Sequence, residues 1–315
     1  MDKVSDKPYK ETFVPLYISN ECDSVCKICN LRKNNNKIIR KTATKEEIYD
    51  QLNIIYSIEK ISAVCILTGE HITGRKRRDN LDLVIWSINL AIQIGFKKVY
   101  FNIGALTDDE IIYIRRNVIK TEVLILSLFQ ETYSRSSYKK FFSNSFIKNS
   151  PKEDFDFRYK TCEKWIDHGF ESVDIGILVG LNDLEEDFKS LIIHAEKLKS
   201  KGANIYISLP RVIGNSENFK LIKNENYIKL IKNMKSKCPW AKIIMTSRED
   251  VNLIKKVLEY IDIISPGCSD VVPYRKEGKI INSELTSQFV VSKIRDRPSE
   301  FLNNFEIDFC YYKNN

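Results

Sequence analysis

The sequence LYISNECDSVCKIC, residues 16–29, joins a short apolar run to three closely spaced cysteines. Its first residues have the branched and aromatic side chains typical of a β-strand. Cys22, Cys26 and Cys29 follow, with three and then two residues between them. Because three thiols this close can wrap one loop around a metal centre, the stretch predicts a strand that leads directly into a metal site.

An iron–sulfur cluster is the favoured interpretation of this triplet. Such clusters usually take four cysteine ligands, so three would leave one iron open to a ligand from outside the protein. Zinc is the alternative, but a zinc site needs a fourth Cys or His nearby, and none follows before Cys65. The remaining cysteines are isolated and are predicted to be small apolar core residues: Cys65, Cys162, Cys238, Cys268 and Cys310.

Outward from the triplet, apolar runs alternate with amphipathic stretches along the chain. The runs predict strands at 16–19, 63–67, 98–102, 123–128, 173–179, 204–209, 242–246 and 261–264. Helical patterns lie at about 43–58, 79–94, 107–118, 152–168, 184–200, 222–236 and 248–259. Thr44 and Glu47 have the spacing of a capping box. Strand–helix alternation of this kind predicts an α/β fold, a full or partial (β/α) barrel of the TIM type rather than an open sheet.

Length and composition agree with one large domain. The chain has 315 residues, of which 43% are hydrophobic and 29% charged, values that are ordinary for a globular protein. No Gly/Ser-rich or Pro-rich linker divides it. We therefore expect a single barrel domain over residues 1–315, with a tail over 290–315 for which the sequence gives no clear structure.

Several classes of protein are disfavoured by the charge and hydropathy patterns. The net charge of +8 is spread along the chain, whereas nucleic-acid binders concentrate basic residues on one stripe. The densest basic run, residues 75–78, is interpreted as a solvated loop. No apolar run has the length of a membrane span, and the first ten residues lack a signal-like apolar core. We expect a cytoplasmic protein without membrane or nucleic-acid partners.

The cysteine spacing is that of the radical S-adenosylmethionine (SAM) superfamily, and the flanking segments resemble its aromatic amino acid lyases. These include the tyrosine lyase of thiamine biosynthesis (2-iminoacetate synthase) and the tryptophan lyase that makes 3-methyl-2-indolic acid. The resemblance runs from about residue 16 to 289. It rests on the order and spacing of short segments: Thr68-Gly69-Glu70, Gln130-Glu131-Thr132, Asp154-Phe155-Asp156-Phe157-Arg158, Gly176-Ile177-Leu178-Val179-Gly180, Thr246-Ser247-Arg248 and Ser265-Pro266-Gly267.

The resemblance implies two cofactors, a [4Fe–4S] cluster on Cys22, Cys26 and Cys29, and SAM on its open iron. Thr68, Gly69 and Glu70 resemble the segment that meets the SAM amino group. Glu131 resembles the carboxylate that binds the ribose hydroxyls, and Arg158 the partner of the SAM carboxylate. The strand from Gly176 to Gly180 resembles the one that runs past the adenine.

On the substrate side, three positions resemble those that hold an aromatic amino acid. Arg248 is expected to bind the substrate carboxylate, Ser265 to hydrogen-bond it, and Tyr17 to contact the amino end. Taken singly, each residue is equally compatible with a surface ion pair or core packing. The three histidines are assigned structural roles by default, and His194 lies in a helical pattern.

The implied activity is cleavage of an aromatic amino acid by a 5′-deoxyadenosyl radical. Tyrosine is the favoured substrate, giving 2-iminoacetate and p-cresol, and tryptophan cleavage to an indolic acid is the alternative. A radical SAM enzyme of other chemistry and a non-catalytic iron–sulfur protein for electron transfer or sensing also remain open. The resemblance implies a reductant such as flavodoxin or ferredoxin and, for the thiamine enzyme, a thiazole synthase partner.

Overall fold

The structure is a computed structural model that describes residues 9–143, 149–212, 221–267, 270–276, 280–281 and 294–312. Cys268 lies outside these residues. The strands are β1 (Tyr9–Thr12), β2 (Val14–Tyr17), β3 (Ala63–Leu67), β4 (Lys98–Asn102), β5 (Leu124–Ser127), β6 (Ser172–Gly176), β7 (Asn204–Ser208), β8 (Lys242–Thr246), β9 (Ile263–Ser265), β10 (Ile280–Ile281), β11 (Ile294–Arg295) and β12 (Asp308–Cys310). The helices are α1 (Lys45–Asn53), α2 (Arg75–Ile94), α3 (Asp108–Asn117), α4 (Arg135–Phe142), α5 (Phe155–Asp167), α6 (Leu184–Ser200), α7 (Asn224–Lys237), α8 (Val251–Val257) and α9 (Pro298–Leu302).

One parallel sheet contains ten of these strands, in the order β12-β1-β9-β8-β7-β6-β5-β4-β3-β2. Phe13 alone separates β1 from β2. β1 pairs with β9, with Glu11 opposite Ile263, and β2 pairs with β3, with Val14 opposite Val64. The N-terminal segment therefore joins the first and last strands of the barrel, and the predicted (β/α) barrel is confirmed.

The C-terminal tail contributes to this closure. β12 pairs in parallel with β1, where Tyr9 lies opposite Asp308. On its other side the Ser62 amide donates to the Tyr311 carbonyl at 2.8 Å. β12 therefore fills the space between β1 and the residues that precede β3. This strand was not predicted, because a three-residue strand has too few residues to show an alternating pattern.

Inside the barrel, side chains that point inward form a closed apolar layer below the carboxyl ends of the strands. Its members come from six barrel strands and from the residue between β1 and β2: Phe13, Ala63, Cys65, Tyr100, Ile125, Tyr206, Ile244 and Ile263. Phe13 and Tyr100 stack with ring centroids 4.2 Å apart. This layer closes the lower end of the barrel interior and supports the polar residues above it.

Two helix starts test the sequence reasoning directly. Thr44 caps α1 in the predicted capping box with Glu47. The interpretation of residues 75–78 as a solvated loop is wrong, because α2 begins at Arg75. Arg77 is buried and pairs with Glu110 at 2.6 Å. Its long apolar stem and its ion pair let the residue lie inside a helix interface. No described helix is both long and apolar enough to cross a membrane.

His194 of α6 is buried among aromatic residues. Its ring stacks on Tyr159 at a centroid distance of 4.2 Å, and its Nδ1 lies 2.8 Å from the Tyr133 hydroxyl. Within the described residues its Nε2 has no hydrogen-bond partner. Burial, with a smaller contribution from the charge of Lys197, lowers the pKa of His194 to about 3. The folded protein therefore holds this imidazole neutral.

Acidification from pH 7 to pH 5 should cost stability through His194. The folded-state pKa is depressed, so the unfolded chain binds the proton first and stability falls as the pH drops below the unfolded value of 6.5. We expect this group to account for about 2 kcal/mol between the two pH values. Denaturant unfolding of the wild type and His194→Gln at both pH values measures it. Equal losses in both proteins would contradict the assignment.

Candidate active site

A cavity of ≈ 280 Å³ opens at the carboxyl ends of the barrel strands, the end at which barrel enzymes carry their sites. It brings together segments that lie far apart in the sequence. The predicted residues that line it are Tyr17, Cys22, Cys26, Cys29, Thr68, Gly69, Glu70, Glu131, Arg248 and Ser265. One cavity therefore contains all three cysteines, part of the implied SAM site and all three implied substrate residues.

Backbone hydrogen bonds fix the cysteine loop against the loop after β3. The Asp23 amide donates to the Glu70 carbonyl at 2.8 Å, and the Lys27 amide donates to the Phe141 carbonyl at 2.9 Å. His71 Nδ1 lies 3.2 Å from the Asp23 carboxylate. The sequence analysis predicted only a structural role for His71. In the structure its side chain holds Asp23, the residue that follows Cys22. The loop is positioned by two parts of the fold, the β3 loop and the end of α4.

The three thiols suit a cluster better than a single ion. In the part of the chain that the structure describes, no group of three or more Cys, His, Asp or Glu side chains is close enough to hold one metal ion. A four-iron cluster is wider, since its thiolates bind different irons. Burial raises the pKa of Cys22 to about 12 and that of Cys26 well above its ordinary value. Positively charged iron would stabilise the thiolates that burial disfavours.

Gly69 leaves the space that the cysteine loop occupies. A Cβ atom at this position would overlap the Glu21 carbonyl oxygen and would lie 2.6 Å from Cys22 Cβ. Both neighbours belong to the loop that carries the first cysteine, and neither can rotate away. The glycine therefore allows the β3 loop to approach the cysteine loop closely.

Gly69→Ala is expected to displace Cys22 and to reduce the iron bound after anaerobic reconstitution by about 10-fold or more, as loss of positioning contacts does in metal sites. Iron and sulfide content per chain and visible absorbance measure the effect. Gly74→Ala is the control for backbone strain alone, because its φ of +141° disfavours a side chain while its added Cβ meets nothing within 4 Å. Circular dichroism should show both variants folded. Full iron content in Gly69→Ala would contradict the proposed close approach.

Four charged side chains form a buried network at one side of the cavity. Arg158 donates to Glu70 Oε1 at 2.8 Å and to the Phe129 carbonyl at 2.7 Å, and Lys152 donates to Glu131 Oε1 at 2.5 Å. Burial favours a raised pKa for Glu70, but Arg158 and then Lys152 outweigh it, and the net shift is downward. Glu70 and Glu131 thus lie close to the same two cations, Arg158 and Lys152. These cations keep Glu70 ionised.

The two cations of this network differ in their position relative to the cavity. Lys152 lines the cavity, whereas Arg158 is not among its described lining residues and lies beside Glu70. Sequence reasoning missed Lys152, because an isolated lysine in a polar segment is ordinarily a solvated side chain. Its contact with Glu131 is visible only in the folded chain.

The segment implied to pass the adenine lies at the end of β6. Gly176 accepts hydrogen bonds from the amides of Gln130 and Glu131, at 3.0 and 3.3 Å. Glu131 has a φ of +71°, a left-handed conformation that is costly for a residue with a side chain. Gly180 has a φ of +110°. Neither glycine is a described lining residue of the cavity, so any contact with an adenine stays a prediction.

The three implied substrate residues lie at or just after the carboxyl ends of three barrel strands. Tyr17 ends β2, Ser265 ends β9, and Arg248 comes two residues after β8. Arg248 Nη2 donates to the Arg211 carbonyl at 3.3 Å. Arg211 is itself held by two hydrogen bonds to Glu249. The guanidinium of Arg248 therefore lies at the cavity wall with a hydrogen bond to the backbone.

A third carboxyl group in the cavity, in addition to Glu70 and Glu131, was not predicted. Asp174 on β6 accepts hydrogen bonds from Ser127 at 2.7 Å and Ser208 at 2.9 Å. All three side chains line the cavity. In the sequence Asp174 falls inside an apolar strand and has no motif around it. Only the pairing of β5, β6 and β7 brings the two serines to it.

Comparison with known proteins identifies related chains. No family model matches. A 2-iminoacetate synthase of Salmonella typhimurium is 24% identical over 177 residues, which span 54% of this chain and 41% of the relative. That of Escherichia coli is 25% identical over 171 residues, with the same coverage. The match thus spans about two fifths of the length of these curated relatives.

Solved structures show the same fold. The [FeFe]-hydrogenase maturase of Carboxydothermus hydrogenoformans superposes with a TM-score of 0.77 at 23% identity, over 90% of this chain and 63% of that one. Methylornithine synthase superposes with a TM-score of 0.69 at 16% identity, over 94% and 81% of the two chains.

These similarities place the chain in a class, the barrel proteins that share the fold of the hydrogenase maturase and methylornithine synthase. Within that class its curated relatives are 2-iminoacetate synthases. The resemblance to the radical SAM aromatic amino acid lyases that the sequence motifs indicated is confirmed.

Proposed function

We propose that this protein is a radical SAM lyase that cleaves tyrosine to 2-iminoacetate and p-cresol. One observation carries the proposal: the cysteine triplet and the three implied substrate residues, Tyr17, Arg248 and Ser265, line a single cavity. The curated relatives named 2-iminoacetate synthase support the choice of tyrosine. An electron-transfer protein would have no use for an arginine fixed at the cavity wall.

The cofactors in this proposal are a [4Fe–4S] cluster on Cys22, Cys26 and Cys29, and SAM. When bound, they would supply a 5′-deoxyadenosyl radical that removes hydrogen from the substrate. Thr68, Gly69 and Glu70 would face the SAM amino group, and Glu131 the ribose. The cation Lys152 lies closer to the cavity than Arg158 does, so we assign it to the SAM carboxylate together with Arg158.

The protein's own side chains would hold the substrate in one orientation. Arg248 provides a planar, two-pronged donor for the substrate carboxylate. Ser265 supplies a hydroxyl to the same group, and Tyr17 lies at the end of β2, where it would contact the amino end. Fixing the carboxylate determines which hydrogen meets the radical carbon. The apolar layer below excludes water, which would otherwise compete in side reactions.

The cluster would need an external electron, from a reductant such as flavodoxin or ferredoxin. A thiazole synthase partner and a cytoplasmic location follow only if the thiamine role of the relatives extends to this chain. None of the described helices is long and apolar enough to cross a membrane.

The decisive test is anaerobic reconstitution of the cluster, followed by SAM and dithionite with tyrosine or tryptophan in turn. Mass spectrometry should find 5′-deoxyadenosine together with p-cresol in the tyrosine reaction. An indolic acid in the tryptophan reaction would replace tyrosine by tryptophan as substrate. Deoxyadenosine without consumption of either amino acid would overturn the lyase proposal. If protein with a verified cluster forms no deoxyadenosine, the proposal that it is a radical SAM enzyme is overturned.

A further inference from the structure

The carboxyl group of Asp174 is the one acidic group at the cavity wall that the proposed chemistry leaves without a role. The residue is 1% exposed to solvent. Its Oδ2 accepts from Ser127 and its Oδ1 from Ser208. No ion pair of Asp174 with a described Lys, Arg or His is present, in contrast to Glu70 and Glu131. It is thus a carboxyl group held by neutral donors alone.

Such an arrangement is costly for stability. Burial raises the pKa of Asp174 to about 7, and the two serine hydroxyls counteract only part of that effect. A buried carboxyl group without a cation lowers stability whenever it is ionised. An asparagine or a small apolar residue would avoid this. Carboxyl groups whose pKa is raised in this way concentrate in functional sites. We therefore expect the carboxyl group of Asp174 to contact a ligand.

The position of Asp174 in the barrel indicates which part of a ligand reaches it. Around the ring the strands follow the order β1–β2, β3, β4, β5, β6, β7, β8 and β9. β6 is therefore opposite the N-terminal strand that ends in Tyr17. Asp174 comes two residues before the end of β6, about 7 Å deeper than the strand end. Arg248, in contrast, comes after the end of β8.

The cavity thus has two polar ends of different character. At its mouth Arg248 and Ser265 present donors, suited to a carboxylate. Deeper in the barrel, Asp174 presents carboxyl oxygens, suited to a donor. The lining of the same cavity also includes apolar and aromatic side chains, among them Phe13, Leu67 and Ile244. A molecule that fits both ends has a carboxylate, an apolar flat body and a distal O–H or N–H.

We propose that Asp174 accepts a hydrogen bond from the ring-borne donor of the substrate, the phenol O–H of tyrosine or the indole N–H of tryptophan. The inference rests on the proposed function and deepens it. Each carboxylate oxygen has a second lone pair beyond the one that a serine hydroxyl uses. Ser127 and Ser208 hold the carboxyl plane in place, so they act as positioning residues. Asp174 then selects aromatic amino acids that carry a donor.

Phenylalanine provides the test, since it has the same ring without the donor. In its complex the buried carboxyl group would face an apolar ring edge without a donor, and a site built for a donor rejects such an analogue strongly. We expect the wild type to bind L-tyrosine at least about 100-fold more tightly than L-phenylalanine. Isothermal titration calorimetry of reconstituted, SAM-loaded protein without reductant measures this ratio without turnover.

Asp174→Val should reduce the ratio of the two dissociation constants to about 1–3, because it removes the acceptor. Asp174→Asn keeps a neutral acceptor and should retain an intermediate ratio, about 10-fold below the wild type. Asp187→Asn is the matched control. Asp187 is also buried and accepts from Thr132 and the Tyr133 amide at 2.9 and 2.7 Å, but it is not a described lining residue. It should keep the wild-type ratio.

The outcomes separate this inference from the proposed function. A wild-type ratio retained in Asp174→Val or fully retained in Asp174→Asn would overturn the role of Asp174 while the lyase stands. Selection of L-tryptophan over L-phenylalanine that disappears in Asp174→Val would support the role with indole as the donor. Failure of the wild type to bind any of the three amino acids would overturn both proposals. Absence of SAM cleavage in the turnover assay bears on the proposed function alone.

Discussion

Cys26→Ala should abolish both cluster binding and SAM cleavage. Cys26 is the most buried of the three triplet cysteines, at 5% exposure. Loss of an outer partner of a metal ligand already costs about 10- to 100-fold in metal affinity. Removal of one of only three protein ligands must cost more. Iron content, visible absorbance and deoxyadenosine formation after anaerobic reconstitution should therefore all fall by at least about 100-fold.

Cys65→Ala is the matched control for this prediction. Cys65 also lines the cavity and is also buried, but it lies on β3 in the apolar layer below the triplet. Its replacement should leave iron content and SAM cleavage near the wild-type values. If both variants lost the cluster, general damage to the barrel would explain the result. If Cys26→Ala kept full iron content, the assignment of the triplet as the ligand set would be refuted.

Arg248→Ala should separate SAM cleavage from amino acid cleavage. Arg248 is not among the residues implied to hold the cluster or SAM, so both should still bind and deoxyadenosine should still form. Without the guanidinium the substrate carboxylate has no fixed position, and small displacements of a reacting group cost about 100-fold in rate. We expect the yield of p-cresol per deoxyadenosine to fall by about that factor.

The ratio of the two products is measured by mass spectrometry in a single reaction. Arg248→Lys retains the charge but loses the two-pronged geometry, and should give an intermediate ratio. Arg135→Ala is the control at an exposed site on α4, where the guanidinium pairs with Asp156 at 2.6 Å. It should behave as the wild type. A normal product ratio in Arg248→Ala would remove Arg248 from the substrate site.

Much of the fold was readable because parallel barrel strands are buried on both faces. Such strands appear as continuous apolar runs, and those at 63–67, 98–102 and 242–246 match β3, β4 and β8 residue for residue. The run at 173–179 was predicted too long. β6 ends at Gly176, where the chain turns away and Val179 forms an isolated bridge with Arg211. Apolar character alone does not mark where a ladder of hydrogen bonds stops.

The strands at the edges of the sheet could not be predicted from the sequence. β1 was missed, because its residues Tyr9–Thr12 are mostly polar. The first predicted strand, 16–19, was displaced, and β2 covers Val14–Tyr17. Both strands depend on their partners: β1 lies between β9 and β12, which are distant in sequence. Pairing over such separations leaves no local pattern in the chain.

The sequence by itself determined the local features of this protein. These are the cysteine spacing after a strand, the strand–helix alternation, the cap at Thr44, and the short segments that link the chain to the aromatic amino acid lyases. Each depends on residues that are neighbours in the chain, so pattern and spacing suffice to find it.

Only the tertiary structure decided which side chains share the cavity and in which electrostatic environment. Lys152 beside Glu131, Arg77 beside Glu110, and Asp174 between two serines each join residues from different strands or helices. The charge state of a buried group depends on its solvent exposure and on the partners that surround it. Those quantities exist only once the chain has folded, which is why the sequence identified the cysteine loop but missed the acid that lies across the barrel from it.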